Sequence, residues 1–263
     1  KVLIGQQRVS ENFFESDRIF QSLFSQLSDS GKAYMADKLT ELGAAAAGKM
    51  NQLSLDADKN VPELIKRNAL GEDIDEIKFH PAYWELMEIA VKSEMFRVKW
   101  EPGNRKRFGE ARNMLGFTSG FLYCMSEMGQ YCPLCMTDGV ARLIDLHCHP
   151  EDRERLMKHI YTDNAADLKT GAMFLTEKTG GSDVGANIVS ATPIGNGLYH
   201  LNGEKWFCSN ANGDIIFVLA RTDQDITGIK GLSIFLVEKF LEDGSKNPME
   251  IVRLKDKLGV RSM

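Results

Sequence analysis

The chain has 263 residues, of which 43% are hydrophobic and 26% are charged, and its formal net charge is −5. This is the composition of an ordinary globular protein with one large or two smaller domains, and no run approaches the roughly 18 apolar residues of a membrane helix. The mild acidity disfavours a chain that wraps nucleic acid, and five unevenly placed cysteines do not indicate a disulfide framework, so we expect a cytoplasmic protein.

The first part of the chain has the apolar spacing of helices. Residues 35–50 carry an apolar residue at every third or fourth position, and residues 83–98 and 134–147 repeat the pattern. Pro150 is placed to open a further helix through Ile160, because proline suits the first helical position and two acidic residues follow it.

A basic run extends from Lys99 to Arg112 between two of these predicted helices. Such a run can bind phosphate groups. Acidic residues interleave with it, however, and Pro102-Gly103-Asn104 favours a turn. We interpret the run as a solvated loop, with a nucleic-acid patch as the alternative.

The pair Cys132 and Cys135, followed by His147-Cys148-His149, has the residue types that zinc prefers. The spacing differs from that of the familiar zinc fingers, and the pair opens an apolar helix in which cysteine can act as a small hydrophobe. Both interpretations stay open on these residues alone.

After Lys169 the period of the pattern changes to two and turn residues multiply. Glycine and asparagine at 195–197 and at 202–203 are typical of hairpin turns. The pattern predicts an α+β chain in which helices precede an antiparallel β-domain. The predicted strands are residues 171–175, 187–194, 197–201, 215–220 and 232–237.

Residues 171–184, GAMFLTEKTGGSDV, form what we call the glycine segment. Two adjacent glycines let backbone N–H groups approach a ligand, and Thr176 and Ser182 add hydroxyls. The segment is neither a Walker loop nor a dinucleotide fingerprint, because its lysine precedes the glycines and no crossover helix follows. It is either a ligand loop or an ordinary glycine turn.

Residues 202–210, NGEKWFCSN, form what we call the aromatic segment. We expect its first residues to make a hairpin turn into a short strand, so that Trp206 and Phe207 face opposite sides. One ring would then be core and the other would cover a planar ligand or simply lie on the surface.

Together these two segments resemble the flavin-binding segments of the acyl-CoA dehydrogenases, and residues 255–262, KDKLGVRS, resemble the segment that follows them in that family. The AidB-like branch of the family is the most similar, because lysine follows the glutamate of the signature and two glycines replace alanine-glycine. Three further stretches support this branch, namely residues 61–64, 79–84 and 132–137.

The resemblance implies a helical N-terminal domain over residues 1–168 and an incomplete middle domain, an antiparallel β-barrel or sandwich, over residues 169–263. The C-terminal helical bundle of the family would be absent, so the chain, which starts at Lys1 and stops at Met263, is expected to be a fragment. The full protein is expected to be a homo-oligomer, either a dimer or a tetramer.

The resemblance also implies that FAD is the cofactor and that no metal is bound. Thr176 would donate a hydrogen bond to the flavin, and Ser182 would lie near the FAD pyrophosphate or the acyl-CoA substrate. Phe207 takes the place of the flavin-covering tryptophan, and Ser209 that of a threonine. The complete set of implied FAD-binding residues is Met173, Leu175, Thr176, Gly180, Gly181, Ser182, Phe207 and Ser209.

The expected activity is an FAD-dependent α,β-dehydrogenation of an acyl-CoA thioester, with hydride transfer to flavin N5. The alternative is an AidB-like flavoprotein that binds DNA or acyl chains with little turnover. No catalytic base is assigned, because the family places it in the C-terminal domain. Neither Glu177 nor Glu204 is expected to take that role.

Overall fold

The helices of the first part begin and end where local chemistry allows. In the computed structural model, which describes residues 12–263, the Ser28 side chain accepts a hydrogen bond from the Gly31 amide and caps a helix over Asp29–Ala47. Pro150 opens the helix Pro150–Ile160, whose predicted bounds are confirmed. The helices are α1 (Phe13–Ser16), α2 (Arg18–Ser25), α3 (Asp29–Ala47), α4 (Lys49–Lys59), α5 (Pro81–Lys92), α6 (Arg97–Trp100), α7 (Pro102–Phe108), α8 (Ala111–Cys124), α9 (Tyr131–His147) and α10 (Pro150–Ile160).

Two compact units are present among the described residues. The helical unit contains residues 12–132, 141–168 and 256–263, and the β unit contains residues 133–140 and 169–255. Short 3₁₀ turns cover Ala165–Asp167, Val184–Ala186 and Gly228–Gly231. None of the helices in the described part of the chain combines the length and hydrophobicity that a membrane span requires.

The apolar face predicted over residues 35–50 is buried, but it belongs to two helices. Met35, Leu39 and Leu42 in α3 and Met50 in α4 are at most 2% exposed. The helix is interrupted at Gly48, whose φ and ψ lie outside the helical region. The prediction of an apolar face is therefore confirmed, and that of one continuous helix is wrong.

The helix predicted over residues 83–98 ends early, at Lys92. Glu94 has a left-handed φ of 57°, which stops the helix, and its carboxylate accepts a hydrogen bond from the Tyr34 hydroxyl. Asn104 donates to the same hydroxyl over 3.0 Å. A tertiary polar cluster thus overrides the periodic signal.

The sequence suggested that the basic run is a solvated loop, and this prediction is wrong. Helix α7 begins in the middle of the run, with Pro102 at its first position and the Glu101 side chain as its cap. Both Lys99 and Arg112 are less than 10% exposed. Arg105 makes two hydrogen bonds to Asp145, at 2.6 and 3.0 Å. These cations serve packing within the helical unit.

The helical unit also contains a hairpin that the apolar pattern did not reveal. Strand β1 (Glu63–Arg67) pairs antiparallel with β2 (Asp73–Lys78). Charged residues occupy much of both strands, so only short alternation marks them.

The sheet of the β unit is built around β6 (Ile215–Arg221), which is buried at six of its seven residues. Strand β7 (Leu232–Glu238) pairs with it antiparallel along its whole length. On the opposite edge, β3 (Gly171–Phe174) pairs parallel with the first part of β6. Strands β4 (Ser190–Gly195) and β5 (Leu198–Asn202) form a hairpin.

The predicted strands are therefore present. The prediction of a wholly antiparallel sheet is wrong, because β3 and β4 both run parallel to β6. One buried apolar cluster in the core of the β unit is formed by Ala172, Phe174, Ile216 and Val218. A second cluster contains Val189, Ala191 and Ala220. A helical N-terminal domain followed by a β-rich middle domain is the architecture that the sequence predicted.

Candidate functional site

The glycine segment leaves the sheet at a gap on one edge of β6. Strand β3 pairs with residues 215–218, and β4 joins the same edge only where Ser190 pairs with Arg221. The chain between β3 and β4, residues 175–189, therefore projects from the sheet. A loop that starts from a rigid strand end is a common setting for a ligand site.

Within this loop the chain folds back on itself at the two glycines. The Gly180 amide donates to the Glu177 carbonyl over 3.0 Å, and Gly180 has a φ of +132° that favours glycine. A Cβ added to Gly181 would lie 3.0 Å from the Thr176 hydroxyl oxygen. The second glycine therefore lets the backbone approach Thr176 closely.

The aromatic segment does not form the predicted second hairpin. Strand β5 ends at Asn202, and residues 203–210 form an irregular loop that is anchored to β3 and its extension. The Trp206 amide donates to the Thr176 carbonyl over 2.9 Å, and the Asn210 side-chain amide donates to the Gly171 carbonyl over 3.0 Å. These contacts replace strand pairing, because they align the loop with β3.

The two aromatic rings separate through backbone conformation instead of strand alternation. Phe207 has a left-handed φ of 55° and is 66% exposed, whereas Trp206 is partly buried. Lys255 lies over the Phe207 ring, with its Nζ 4.7 Å from the centroid. A largely exposed aromatic side chain, with Lys255 over its ring, thus follows directly on the residue that ties this loop to Thr176.

A buried ion pair connects the two segments, and sequence patterns gave no signal of it. The Lys205 Nζ lies 2.7 Å from a carboxylate oxygen of Glu177, and their side chains are 7% and 3% exposed. The amides of Ile188 and Val189 donate to the same carboxylate. Burial raises the pKa of Glu177, but these hydrogen bonds and the Lys205 charge outweigh it, so that the pKa lies below its usual value.

A second feature that the sequence did not reveal is the guanidinium of Arg221, at the end of β6. It donates to the carbonyls of Asn187, Gly185 and Ile226 at 3.0, 2.7 and 2.7 Å. It also donates to the Gly228 carbonyl over 3.2 Å. One buried cation therefore holds together the chain after the glycine segment and the turn before β7.

The remaining predicted site residues lie in different surroundings. Leu175 is 38% exposed and Ser182 is exposed, whereas Ser209 is partly buried. Met173 points towards helix α9, where its methyl carbon would lie 3.2 Å from a Cβ added to Gly139. The structure thus brings Thr176 and Gly181 together directly and ties the aromatic segment to Thr176 through Trp206.

The cysteines and histidines that suggested zinc are not gathered into one site. Among residues 12–263, no group of three or more His, Cys, Asp or Glu side chains is arranged to hold a metal ion. Cys132 is partly buried and Cys135 is exposed, so the second cysteine is not the small core hydrophobe that the helical pattern suggested.

Comparison with known proteins assigns each part of the chain to a family. Residues 6–164 match the domain described as "Adaptive response protein AidB N-terminal domain". Residues 172–263 match "Acyl-CoA dehydrogenase, middle domain". The first match covers more than half of the chain.

Individual relatives agree with this assignment. AidB of Escherichia coli is 34% identical over 87% of this chain and 41% of its own length, and acyl-CoA dehydrogenase family member 11 of Caenorhabditis elegans is 28% identical over 96% of this chain and 42% of its own. A crystal structure of C. elegans ACDH-11 in complex with C11-CoA superimposes with a TM-score of 0.85 at 27% identity, covering 96% of this chain and 44% of that one. The chain thus spans less than half the length of these relatives. It belongs to the acyl-CoA dehydrogenase family, of which it comprises the AidB-type N-terminal domain and the middle domain.

Proposed function

We propose that this chain supplies part of the flavin-binding and substrate-binding site of an FAD-dependent oxidoreductase. The enzyme would dehydrogenate an acyl-CoA thioester between its α and β carbons. The observation that carries the proposal is the attachment of the exposed Phe207 loop to Thr176 through the Trp206 amide. Membership in a family that is typically FAD-dependent supports it. The relative crystallised with C11-CoA supports an acyl-CoA ligand.

The residues of the two segments fit an isoalloxazine ring. Within residues 12–263 the Thr176 hydroxyl makes no hydrogen bond to protein, so it is available to a ligand. Gly181 leaves the approach to that hydroxyl unobstructed, because a Cβ would lie against it. Phe207 offers an aromatic side chain that is 66% exposed.

FAD supplies the hydride acceptor when it is bound. In the proposed arrangement Thr176 donates its hydroxyl hydrogen to the edge of the ring and so orients it, while Phe207 covers one face and excludes water. We assign flavin contacts also to Met173, Leu175, Gly180, Gly181 and Ser209. Ser182, which is exposed after the glycines, would donate to the FAD pyrophosphate or to the acyl-CoA.

Neither glutamate of the two segments suits the role of catalytic base. Both carboxylate oxygens of Glu177 accept backbone amides and one also contacts Lys205, so this group is engaged and holds its charge. Glu204 is exposed in the turn after β5. The proton acceptor is therefore proposed to come from outside this chain, as are most of the subunit contacts of a dimer or tetramer.

Two further assignments complete the proposal. We place the boundary between the two domains at residues 168 and 169, just before the first strand of the β unit. We also place the protein in the cytoplasm, in agreement with its cysteine content.

The test is an anaerobic titration of the native full-length protein, loaded with FAD, against acyl-CoAs of increasing chain length. Bleaching of the flavin absorption by at least one of them is expected. Stable FAD binding without bleaching by any chain length would overturn the dehydrogenase assignment and favour a binding protein with little turnover. A colourless protein that does not take up added FAD would overturn flavin binding itself.

A further inference from the structure

The Lys205 side chain, which is 7% exposed, makes its contacts on both sides of one residue. Its Nζ lies 2.7 Å from a carboxylate oxygen of Glu177 and 3.2 Å from the carbonyl oxygen of Leu175. These two residues flank Thr176 directly. The next residue in the aromatic segment, Trp206, donates its amide to the carbonyl of Thr176 itself.

The groups that Lys205 contacts have other hydrogen-bond donors. The Leu175 carbonyl also accepts from the Asn187 side chain over 2.8 Å. The Glu177 carboxylate also accepts from the amides of Ile188 and Val189 at 2.7 and 3.0 Å. Removal of the ammonium group therefore leaves each acceptor with another hydrogen-bond donor, but it also leaves the buried Glu177 carboxylate without its counter-charge.

Lys205 links the two segments on both sides of Thr176. Lysine is costly to bury, and a buried ion pair is weak evidence for a stabilising role. Its position instead fixes the backbone at residues 175–177 relative to the aromatic segment. The orientation of this backbone, together with the χ1 rotamer of Thr176, sets where the Thr176 hydroxyl points.

We infer that Lys205 is a positioning residue for the flavin: by holding Leu175 and Glu177, it aims the Thr176 hydroxyl at the ring that Phe207 covers. The inference rests on the proposed function, because it needs a flavin at this site. It predicts that Lys205 acts on the flavin through Thr176 and not through general stability of the fold.

A double-mutant cycle on the native full-length protein separates these roles. FAD affinity is measured by quenching of flavin fluorescence in the wild type, Lys205→Met, Thr176→Val and the double variant, together with the shape of the bound flavin absorption band and the melting temperature of the apoprotein. In the wild-type background Lys205→Met is expected to weaken FAD binding about tenfold and to shift the band in the same direction as Thr176→Val. In the Thr176→Val background it is expected to weaken binding less than about twofold.

Additive losses of affinity in the cycle would overturn the inference while leaving the proposed function intact. Failure of the wild type to bind FAD would overturn the proposed function and the inference with it. Lys239→Met is the matched control, because Lys239 is a lysine of the same unit that contacts Asn212 and neither segment, and it should leave FAD affinity unchanged.

If Lys205→Met does not fold, the charge-free pair Glu177→Gln/Lys205→Met replaces it, since no unpaired buried charge then remains. The same cycle with Thr176→Val is expected to give the same non-additive result. Lys205→Arg, which keeps the charge and several donors, should recover part of the lost affinity. No recovery with Arg, together with an additive cycle in the charge-free pair, would again contradict the inference.

Discussion

Gly181 lies so close to Thr176 that a Cβ at position 181 would stand 3.0 Å from the threonine hydroxyl oxygen and 3.3 Å from its methyl group. The two residues are five positions apart, and the turn from Glu177 to Gly180 brings them together. A side chain at position 181 would therefore occupy the space in front of the Thr176 hydroxyl, two residues beyond the end of β3.

Replacement of Gly181 by valine is expected to abolish flavin uptake, with a loss of FAD affinity of roughly 100-fold or more, because the branched side chain blocks approach to Thr176. The flavin content of the purified full-length protein measures this. The helical unit should keep its circular dichroism. Gly259→Val is the control, since nothing lies within 4 Å of its added Cβ. Unchanged flavin content in the Gly181→Val variant would count against the assignment of this loop.

Removal of the Arg221 guanidinium is expected to lower the free energy of unfolding strongly. Arg221→Met would leave up to four carbonyl groups without their donor, of which the contact to Asn187 is buried and the other three are partly buried. A buried unsatisfied group costs about 1–3 kcal/mol. We expect the free energy of unfolding to fall by about 3 kcal/mol or more. Denaturant unfolding followed by tryptophan fluorescence measures it, since Trp206 lies in the same unit.

Arg67→Met serves as the control for this measurement. Arg67 pairs with Asp73 on the surface, where the two side chains are 67% and 78% exposed, and an exposed pair contributes at most about 1 kcal/mol. Equal losses in the two variants would show that the carbonyl contacts of Arg221 are not the source of its effect.

Features of the fold that depend on local interactions could be predicted from the sequence, whereas features that depend on contacts between distant residues could not. The bounds of α10 could be predicted because Pro150 and the acidic first turn act locally. The parallel pairing of β3 with β6 could not, since it joins residues about 44 positions apart. Alternation predicted a strand at Trp206 and Phe207, but the contacts of Lys205 and Asn210 with residues 171–177 impose an irregular loop.

The candidate site divides in the same way. Its glycines and exposed aromatic residue are visible in the sequence, because glycine has unique backbone freedom and Phe207 lies next to a turn signal. The pair of Glu177 with Lys205 is not, because the residues are 28 positions apart and no periodicity links them. The residues that hold a site in place are thus harder to predict than those that touch the ligand.

Alkaline pH should weaken the helical unit through Tyr34. Burial and the hydrogen bond to Glu94 raise the pKa of Tyr34 to about 12 from 10.0. Below pH 10 the folded and unfolded states both keep the proton. Between pH 10 and 12 only the unfolded state loses it, so the free energy of unfolding falls as the pH rises through this window.

Denaturant unfolding from pH 8 to 11.5 in the wild type and in Tyr34→Phe tests this expectation. The variant should be less stable than the wild type at pH 8, because Asn104 loses one of its two side-chain acceptors and the Glu94 carboxylate loses a donor. Its stability should decline less steeply above pH 10. Parallel declines in the two proteins would assign the alkaline sensitivity to other groups, of which the buried Tyr123, whose pKa is also raised, is the first to examine.

A variant of Phe207 can affect flavin binding without affecting stability, because the residue is 66% exposed and contributes little to the core. Phe207→Ala is expected to leave the melting temperature of the apoprotein nearly unchanged and to weaken FAD binding about fivefold to tenfold, through the loss of about 1 kcal/mol of stacking. Phe207→Trp keeps a stacking surface and adds an indole N–H, so we expect it to bind FAD at least as tightly as the wild type. Ile194→Ala, which removes a similarly exposed apolar side chain at the end of β4, is the control. Titration of each apoprotein with FAD gives the affinities, and equal affinity for the alanine and tryptophan variants would mean that residue 207 does not cover the flavin.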